Sequence, residues 1–176
     1  QDLTKALELY RIAEDEGSVA AQVAIARFYE QGIVVEKNLT TAFEWYLQAA
    51  DEGSSLGQLK VAEAYAIGRG VQIDNGQSIW WVREAEQGGV TLLPQLMAKI
   101  GDSYFLGQDV GTDRDEAREW YLKAGKKGDL RSIRMLGLIY IQEGRRSSDY
   151  KDAVKWLKLG ASKGIESSQL NLGALY

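Results

Sequence analysis

Glycine recurs at a nearly constant interval along this chain, and that interval constrains the fold more than any other feature. The chain has 176 residues, with 19 glycines but only one proline. A glycine inside a helix costs about 1 kcal/mol relative to alanine, so glycines scattered at random would weaken a helical fold. Five of them are instead 36, 36, 39 and 36 residues apart: Gly17, Gly53, Gly89, Gly128 and Gly164. A period of this length is typical of a repeat protein.

Each of these glycines follows a segment with the periodicity of an amphipathic helix, which we name helix A. Offsets 0, +3, +4 and +7 within it fall on one helix face. Offset 0, eleven residues before the glycine, is small in every copy: Ala6, Ala42, Ser78, Ala117 and Ala153. Offset +3 is mostly tryptophan: Leu9, Trp45, Trp81, Trp120 and Trp156. We expect this face to pack in a core, and the glycine to end the helix in a left-handed cap.

A second periodic segment, helix B, follows each glycine. Its small residue, which lets another helix approach closely, is Ala26, Ala62, Gly101, Gly137 or Gly173. A tyrosine lies three residues beyond each one: Tyr29, Tyr65, Tyr104, Tyr140 and Tyr176. No segment shows the alternation of a strand. The sequence predicts ten helices, over residues 3–15, 18–31, 39–51, 55–67, 75–87, 94–106, 114–126, 129–142, 150–162 and 166–176.

The predicted architecture is all-α. One helical hairpin cannot bury both of its faces, whereas a stack of hairpins can. We therefore expect an α/α solenoid, a right-handed superhelix of about five helix-turn-helix repeats that forms a single domain over residues 1–176. The approximate repeats are 2–38, 39–74, 75–113, 114–149 and 150–176, with the last one truncated. The third is longer because three extra residues lie between Gly89 and Gly101.

This pattern resembles the Sel-one-like repeat (SLR) family, a close cousin of tetratricopeptide repeats. The resemblance rests on the helix A segments AFEWYLQAADEG (42–53) and EWYLKAG (119–125), and on the link GRGV (68–71). It covers essentially the whole chain and implies a non-catalytic adaptor, here a fragment of a larger repeat protein. Bacterial relatives are often exported, so the resemblance favours a periplasmic or secreted bacterial protein. The chain lacks cysteine and so differs from the disulfide-tied branch of the family.

The composition argues against an enzyme or a metalloprotein. The chain contains no His and no Cys, which excludes zinc-finger, haem, iron–sulfur and Ser-His-Asp chemistry. Acidic clusters fall at helix ends, and no phosphate-cradling glycine loop is present. We therefore expect no catalytic residue, no cofactor and no metal. The net charge of −4, without a dense basic stripe, argues against nucleic acid as a partner. No apolar run reaches the roughly 18 residues that a membrane span needs.

Offset +2 of helix A points away from the predicted core, so it is a candidate position for partner contacts. It reads Glu8, Glu44, Trp80, Glu119 and Lys155. Trp80 is the anomaly, and two interpretations stay open. It is either an anchor for a partner on the concave face, where tryptophan is favoured, or a ring that shares the packing of Trp81 because Val82 leaves a gap.

Offsets +1 and +5 flank this position with apolar and basic side chains. The +1 residues are Leu7, Phe43, Ile79, Arg118 and Val154, and the +5 residues are Arg11, Leu47, Arg83, Leu122 and Lys158. They either form the edge of a peptide-binding groove or widen the core between repeats. The candidate groove residues are Trp80, Glu44, Leu47, Arg83, Glu119 and Leu122.

Two loops carry further candidates. Leu92, Leu93 and Pro94 lie in the longer turn of the third repeat, as either a partner-touching knob or a staple that closes the turn, with Pro94 opening the next helix. Arg145 and Arg146 form either an anion site or a solvated loop.

The sequence predicts a scaffold or adaptor that binds a protein or peptide partner on the concave helix A face. Two alternatives stay open. One is a structural spacer in a larger assembly, such as one in a cell envelope, with end-to-end contact through an uncapped C-terminal repeat. The other is a glycan- or peptidoglycan-binding solenoid that uses groove aromatics as sugar platforms.

Overall fold

The part of the chain that the structure describes, residues 2–143 and 147–175, contains ten α-helices and no β-strand. The structure is a computed structural model. The helices are α1 (Leu3–Asp15), α2 (Val19–Gln31), α3 (Leu39–Asp51), α4 (Ser55–Ile67), α5 (Asn75–Gln87), α6 (Pro94–Leu106), α7 (Arg114–Lys126), α8 (Leu130–Glu143), α9 (Ser147–Ser162) and α10 (Glu166–Ala174). This confirms the predicted all-α repeat fold. The largest difference from the predicted bounds is at α9, which begins three residues earlier than expected.

The helices form two compact units, Gln1–Leu92 and Leu93–Tyr176. In the first unit α1 to α5 pack in sequence, each helix against the next one along the chain. In the second unit α6 to α10 pack in the same way, and α10 also touches α8. The boundary between the units falls within the third predicted repeat, in the turn that carries the three extra residues.

Local signals set the start of most helices. In α1 to α5, the side chain of the N-cap residue accepts a hydrogen bond from a backbone N–H of the first turn; these residues are Asp2, Ser18, Asn38, Ser54 and Asp74. Such a cap satisfies one of the N–H groups that the first turn leaves unpaired. Helices α6 and α10 lack such a bond, because their N-caps are Leu93 and Ile165. Pro94 opens α6 instead, at a position where a missing N–H costs nothing.

The periodic glycines adopt the left-handed conformation directly after the C-cap of helix A. Their φ angles lie between +75° and +89°. After α1, the Ser18 N–H bonds to the carbonyl of Ala13 at 2.9 Å, which closes the helix end. Gly70, in the link between α4 and α5, is also left-handed, with φ +76°. A Cβ at this position would in addition clash with the carbonyl oxygen of Leu39.

Helix α1 departs from the predicted burial pattern. Offsets +3 and +4 were expected in the core, yet Leu9 and Tyr10 are both exposed. Leu7, at offset +1, is the buried residue of this helix and packs with Ile25 and Phe28 of α2. α1 packs mainly against α2, with one further hydrogen bond from Gln48 of α3 to Glu14 at 3.3 Å, whereas α3 packs extensively against both α2 and α4.

Some predictions fall on positions that the structure does not describe. Tyr176, the last tyrosine of the periodic set, lies outside the described residues, as do Arg145 and Arg146.

Candidate functional site

Trp80 projects from α5 as an exposed aromatic ring. Its side chain is 52% exposed, whereas its neighbour Trp81 is only 6% exposed. The two rings meet edge to face, with centroids 4.5 Å apart and planes at 83°. Trp80 therefore contacts Trp81 along one side and exposes about half of its surface to solvent.

The opposite face of α5 fixes this orientation. Ser78, Val82 and Ala85 are buried, and the Ser78 hydroxyl donates a 2.9 Å hydrogen bond to the carbonyl of Ala62 on α4. With those residues facing α4, offset +2 lies nearly opposite at 100° per residue. Val82, at offset +4, is itself fully buried.

The other candidate groove residues of the first unit lie on α3 and α5. Glu44 on α3 and Arg83 on α5 are exposed, and Leu47 on α3 is half-buried. The +1 residues of this unit lie inward instead: Leu7, Phe43 and Ile79 are all buried. The exposed surface of α3 and α5 therefore carries the Trp80 ring beside acidic and basic side chains.

In the second unit, the two candidate groove residues lie in different surroundings. Glu119 is exposed on α7. Leu122 is partly buried and packs against the core cluster that contains Tyr121, Leu136 and Trp156. Leu122 therefore offers little free surface.

Besides the glycines, the periodic residues of helices A and B fall into three groups by their position in the repeat. At offset 0, Ala42, Ser78, Ala117 and Ala153 are buried, and Ala6 is half-buried. At offset +3, Trp81, Trp120 and Trp156 are buried, while Trp45 is half-buried against the Leu7 cluster. The helix B tyrosines that the structure describes are all half-buried: Tyr29, Tyr65, Tyr104 and Tyr140.

A buried network in the second unit was not predicted from the sequence. The Tyr121 hydroxyl donates a 2.7 Å hydrogen bond to Asp102 Oδ1. Arg131 donates to the same carboxylate through Nε, at 3.2 Å from Oδ1, and through Nη2, at 2.8 Å from Oδ2. Burial and the hydrogen bond to Asp102 raise the pKa of Tyr121 far above 10.0, and the cations Arg131 and Arg134 oppose this shift.

The first unit contains a similar network. The Tyr46 hydroxyl donates to Glu30 Oε2 at 2.9 Å, and Arg69 Nη1 lies 3.1 Å from Glu30 Oε1. Burial, followed by the charge of Glu30, raises the pKa of Tyr46 far above 10.0, while Arg27 lowers it. Both tyrosines occupy offset +4 of helix A, which the periodicity places in the core. A buried hydroxyl needs a hydrogen-bond partner, so this position was the sequence signal that indicated a polar network.

An open cleft of about 500 Å³ lies between α1 and α2. Its lining is mixed in character: Asp2, Leu3, Ala6, Tyr10, Ala24, Arg27, Phe28, Gln31 and Ile33. A second cleft, of about 490 Å³, shares Tyr10, Ala24 and Arg27 with the first. The second cleft is also lined by Ser54 and Leu56, so it extends from the α1–α2 hairpin to the start of α4.

Among the described residues, no group of three or more acidic side chains is placed to hold a metal ion. None of the described helices combines the length and the apolar character needed to cross a bilayer.

The fold and these surfaces define an all-α repeat protein. The Sel1 repeat family model matches residues 1–18, 19–54, 55–90, 94–129 and 131–165. The chain therefore belongs to the Sel1 repeat family, whose members are generally non-catalytic and commonly mediate protein–protein interactions. The matched segments leave out 91–93, which lie in the longer turn of the third repeat.

Two solved structures are similar to this chain. One is a protective antigen present in uropathogenic Escherichia coli strains that displays an SLR fold, at 32% identity and a TM-score of 0.73. The alignment covers 99% of this chain and 37% of the antigen chain. The other is a Sel1 repeat protein from Oxalobacter formigenes, at 28% identity and a TM-score of 0.66, with 99% and 70% of the two chains covered. No curated protein sequence matches the chain.

Proposed function

We propose that this chain is a non-catalytic interaction scaffold that binds a protein or peptide partner on the exposed face of helix A, with Trp80 as the anchor. The observation that carries the proposal is the contrast between Trp80, which is half exposed, and its buried neighbour Trp81. A tryptophan held by an adjacent ring is already partly ordered, so a partner loses less conformational entropy when it covers that side chain.

The surroundings of Trp80 suit a partner with both apolar and charged groups. Glu44 and Arg83 supply charges of opposite sign on the same set of helices, and Leu47 supplies partly covered apolar surface. Binding hot spots combine an aromatic or arginine anchor with a rim of weaker contacts. Leu122 packs against the core and therefore contributes little to the proposed surface.

Site-specific photo-crosslinking tests the location of the surface. A photoreactive phenylalanine analogue at position 80 is compared with the same analogue at position 67, because Ile67 is 56% exposed on α4, which is a helix B. In extract from the native source, we expect a protein adduct from position 80 that position 67 does not give. Equal adducts from both positions would indicate adhesion without a defined site.

The crosslinked partner is then purified, and its Kd is measured against three forms of the chain. Trp80→Ala is expected to raise the Kd by about 30-fold relative to the unmodified chain, the effect of losing a hot-spot contact. Ile67→Ala, on helix B, should leave the Kd unchanged. Titration with peptidoglycan fragments distinguishes a sugar platform: a saturable change in fluorescence that Trp80→Ala abolishes, together with no protein adduct, would contradict the proposal.

A further inference from the structure

The exposed side of helix A carries a group of lysines in the second unit, which we name the lysine face. Its members lie at offsets +6 and +9 of α7 and at offsets −2, +2 and +5 of α9, and all are exposed: Lys123, Lys126, Lys151, Lys155 and Lys158. At 100° per residue, these offsets fall within an arc of about 100° that lies opposite the buried offset 0. The face ends on α7 at Glu119, four residues before Lys123.

Helices α7 and α9 lie side by side at this face. A Cβ added to Gly125 of α7 would lie 3.1 Å from the indole ring of Trp156 on α9. Trp156 also shares a core cluster with Tyr121 of α7. Lys126 follows Gly125 and Lys155 precedes Trp156, so these two lysines flank the same contact between the helices. The lysines of the two helices therefore form one surface.

The same positions in the first unit carry a different charge. On α1 and α3 the two acidic residues give a net charge of −2, and the five residues are Ile12, Asp15, Thr40, Glu44 and Leu47. On α3 and α5 one acidic and one basic residue cancel, and the five residues are Gln48, Asp51, Gly76, Trp80 and Arg83. The lysine face has a charge of +5 at these positions. The repeat itself does not require lysine there, so the charge is a specific property of α7 and α9.

Local helix chemistry does not account for the lysines of α9. A cation is favoured in the last turn of a helix, where Lys123 and Lys126 of α7 lie. Lys151 and Lys155 lie away from the last turn of α9, and their four-residue spacing brings like charges together, which is unfavourable in an isolated helix. The acidic residue between them, Asp152, is half-buried at offset −1, at the edge of the face. An anionic partner reduces this repulsion.

The surroundings of the lysines favour an acidic protein segment over a nucleic acid. The neighbouring rings of Trp120 and Trp156 are buried, so they offer no platform on which bases could stack. Leu159, one turn after Lys155, is 36% exposed. It offers apolar surface that a side chain of a bound peptide can cover between its acidic residues.

We propose that the lysine face binds a segment of a protein partner that is rich in Asp and Glu, with apolar side chains between the acidic ones. The segment follows α7 and α9, where its carboxylates meet the five ammonium groups. The lysine face lies in the second unit and Trp80 lies in the first. This site therefore goes beyond the proposed function and does not depend on the Trp80 anchor.

The test uses the full chain and a synthetic acidic segment. The probe is a fluorescein-labelled peptide of four Glu-Glu-Leu units, and its matched control has Gln in place of every Glu. Binding is followed by fluorescence polarisation at low ionic strength. We expect saturable binding by the Glu peptide, about tenfold tighter than by the Gln peptide, because only the Glu peptide brings carboxylates to the lysines.

Paired charge variants locate the contact. Lys126→Gln with Lys155→Gln removes two charges from the lysine face, whereas Lys5→Gln with Lys37→Gln removes two exposed charges from the first unit. The net charge of the chain changes equally in both. We expect the first pair to weaken binding of the Glu peptide by about tenfold and the second pair by less than about twofold. Trp80→Ala should leave this binding unchanged, which separates the lysine face from the Trp80 anchor.

Three outcomes would overturn the proposal. The first is equal affinity for the Glu and Gln peptides, or no binding by the Glu peptide. The second is equal weakening by the two pairs of substitutions, which would attribute binding to the net charge of the chain. The third is tighter binding to an oligo-dT strand or to phosphatidylglycerol vesicles that Lys126→Gln with Lys155→Gln abolishes, which would make a nucleic acid or a lipid surface the ligand.

Discussion

The hydroxyl of Tyr121 and the carboxylate of Asp102 are joined by a 2.7 Å hydrogen bond that links α7 to α6. Arg131 of α8 completes the carboxylate's partners with two further contacts. Three consecutive helices of the second unit therefore meet at one acidic side chain. A buried carboxylate costs a large free energy unless hydrogen-bond donors replace the water that it loses. Tyr121 and Arg131 supply these donors to Asp102.

Removal of the Tyr121 hydroxyl should destabilise the fold measurably. In Tyr121→Phe, we expect the free energy of unfolding to fall by about 1–2 kcal/mol, because the Asp102 carboxylate loses one donor while Arg131 remains. Urea denaturation followed by circular dichroism measures the change. Tyr150→Phe is the control, since its hydroxyl is exposed and bonds to the carbonyl of Leu175. A loss in Tyr121→Phe no larger than in the control would mean that the network contributes nothing.

At alkaline pH, the ionisation of Tyr46 and Tyr121 should destabilise the folded chain. Both have pKa values raised above 10.0 in the folded state. The unfolded chain therefore loses these protons first, so their stabilising contribution is complete below pH 10.0 and declines as the pH rises above it. In this range, each tyrosine lowers the free energy of unfolding by about 1.4 kcal/mol for every pH unit of increase.

The ultraviolet absorbance of tyrosinate checks this prediction. Of the nine tyrosines, Tyr46 and Tyr121 should ionise only when the circular dichroism of the helices is lost. The double variant Tyr46→Phe, Tyr121→Phe should lack the part of the tyrosinate absorbance that rises together with unfolding. Ionisation of all tyrosines before unfolding would show that the two hydroxyls are not protected.

Two left-handed glycines should respond differently to the same substitution. Gly17 has φ +85°, and a Cβ added there would meet no other atom within 4 Å, so Gly17→Ala should cost only backbone strain, about 1 kcal/mol. Gly70 has φ +76°, but a Cβ there would clash with the Leu39 carbonyl oxygen. Gly70→Ala should therefore cost about 3 kcal/mol or more, from strain and overpacking together. Equal melting temperatures for the two variants would contradict this ranking.

The sequence predicts the helices well because helix ends depend on local chemistry. The glycine after helix A and the capping side chain before most helices act over a few residues, so α3, α4 and α5 begin and end where the periodicity places them. The exposure of Leu9 could not be predicted in this way. Offset +3 is buried in α5, α7 and α9 but exposed in α1, so its burial depends on packing between helices and not on the local sequence.

The polar networks have no constant spacing in the sequence. Glu30 lies four residues after the small residue Ala26, whereas Asp102 lies one residue after Gly101. Both carboxylates nevertheless reach a tyrosine at offset +4, because a longer and a shorter side chain approach it from different turns of helix B. The position of the carboxylate depends on the length of its side chain and therefore does not recur at a fixed offset in the sequence. Only the structure identifies which acidic residue is the partner of each tyrosine.

The two neighbouring tryptophans of α5 should differ sharply in their contribution to stability. Trp81→Ala removes a buried ring, so we expect a loss of about 3–5 kcal/mol. Trp80→Ala removes a half-exposed ring and one edge-to-face contact, so we expect a loss of about 1 kcal/mol. Urea denaturation of both variants under the same conditions measures the difference. A loss for Trp80→Ala as large as that for Trp81→Ala would place Trp80 in the core and remove the anchor on which the proposed interaction surface depends.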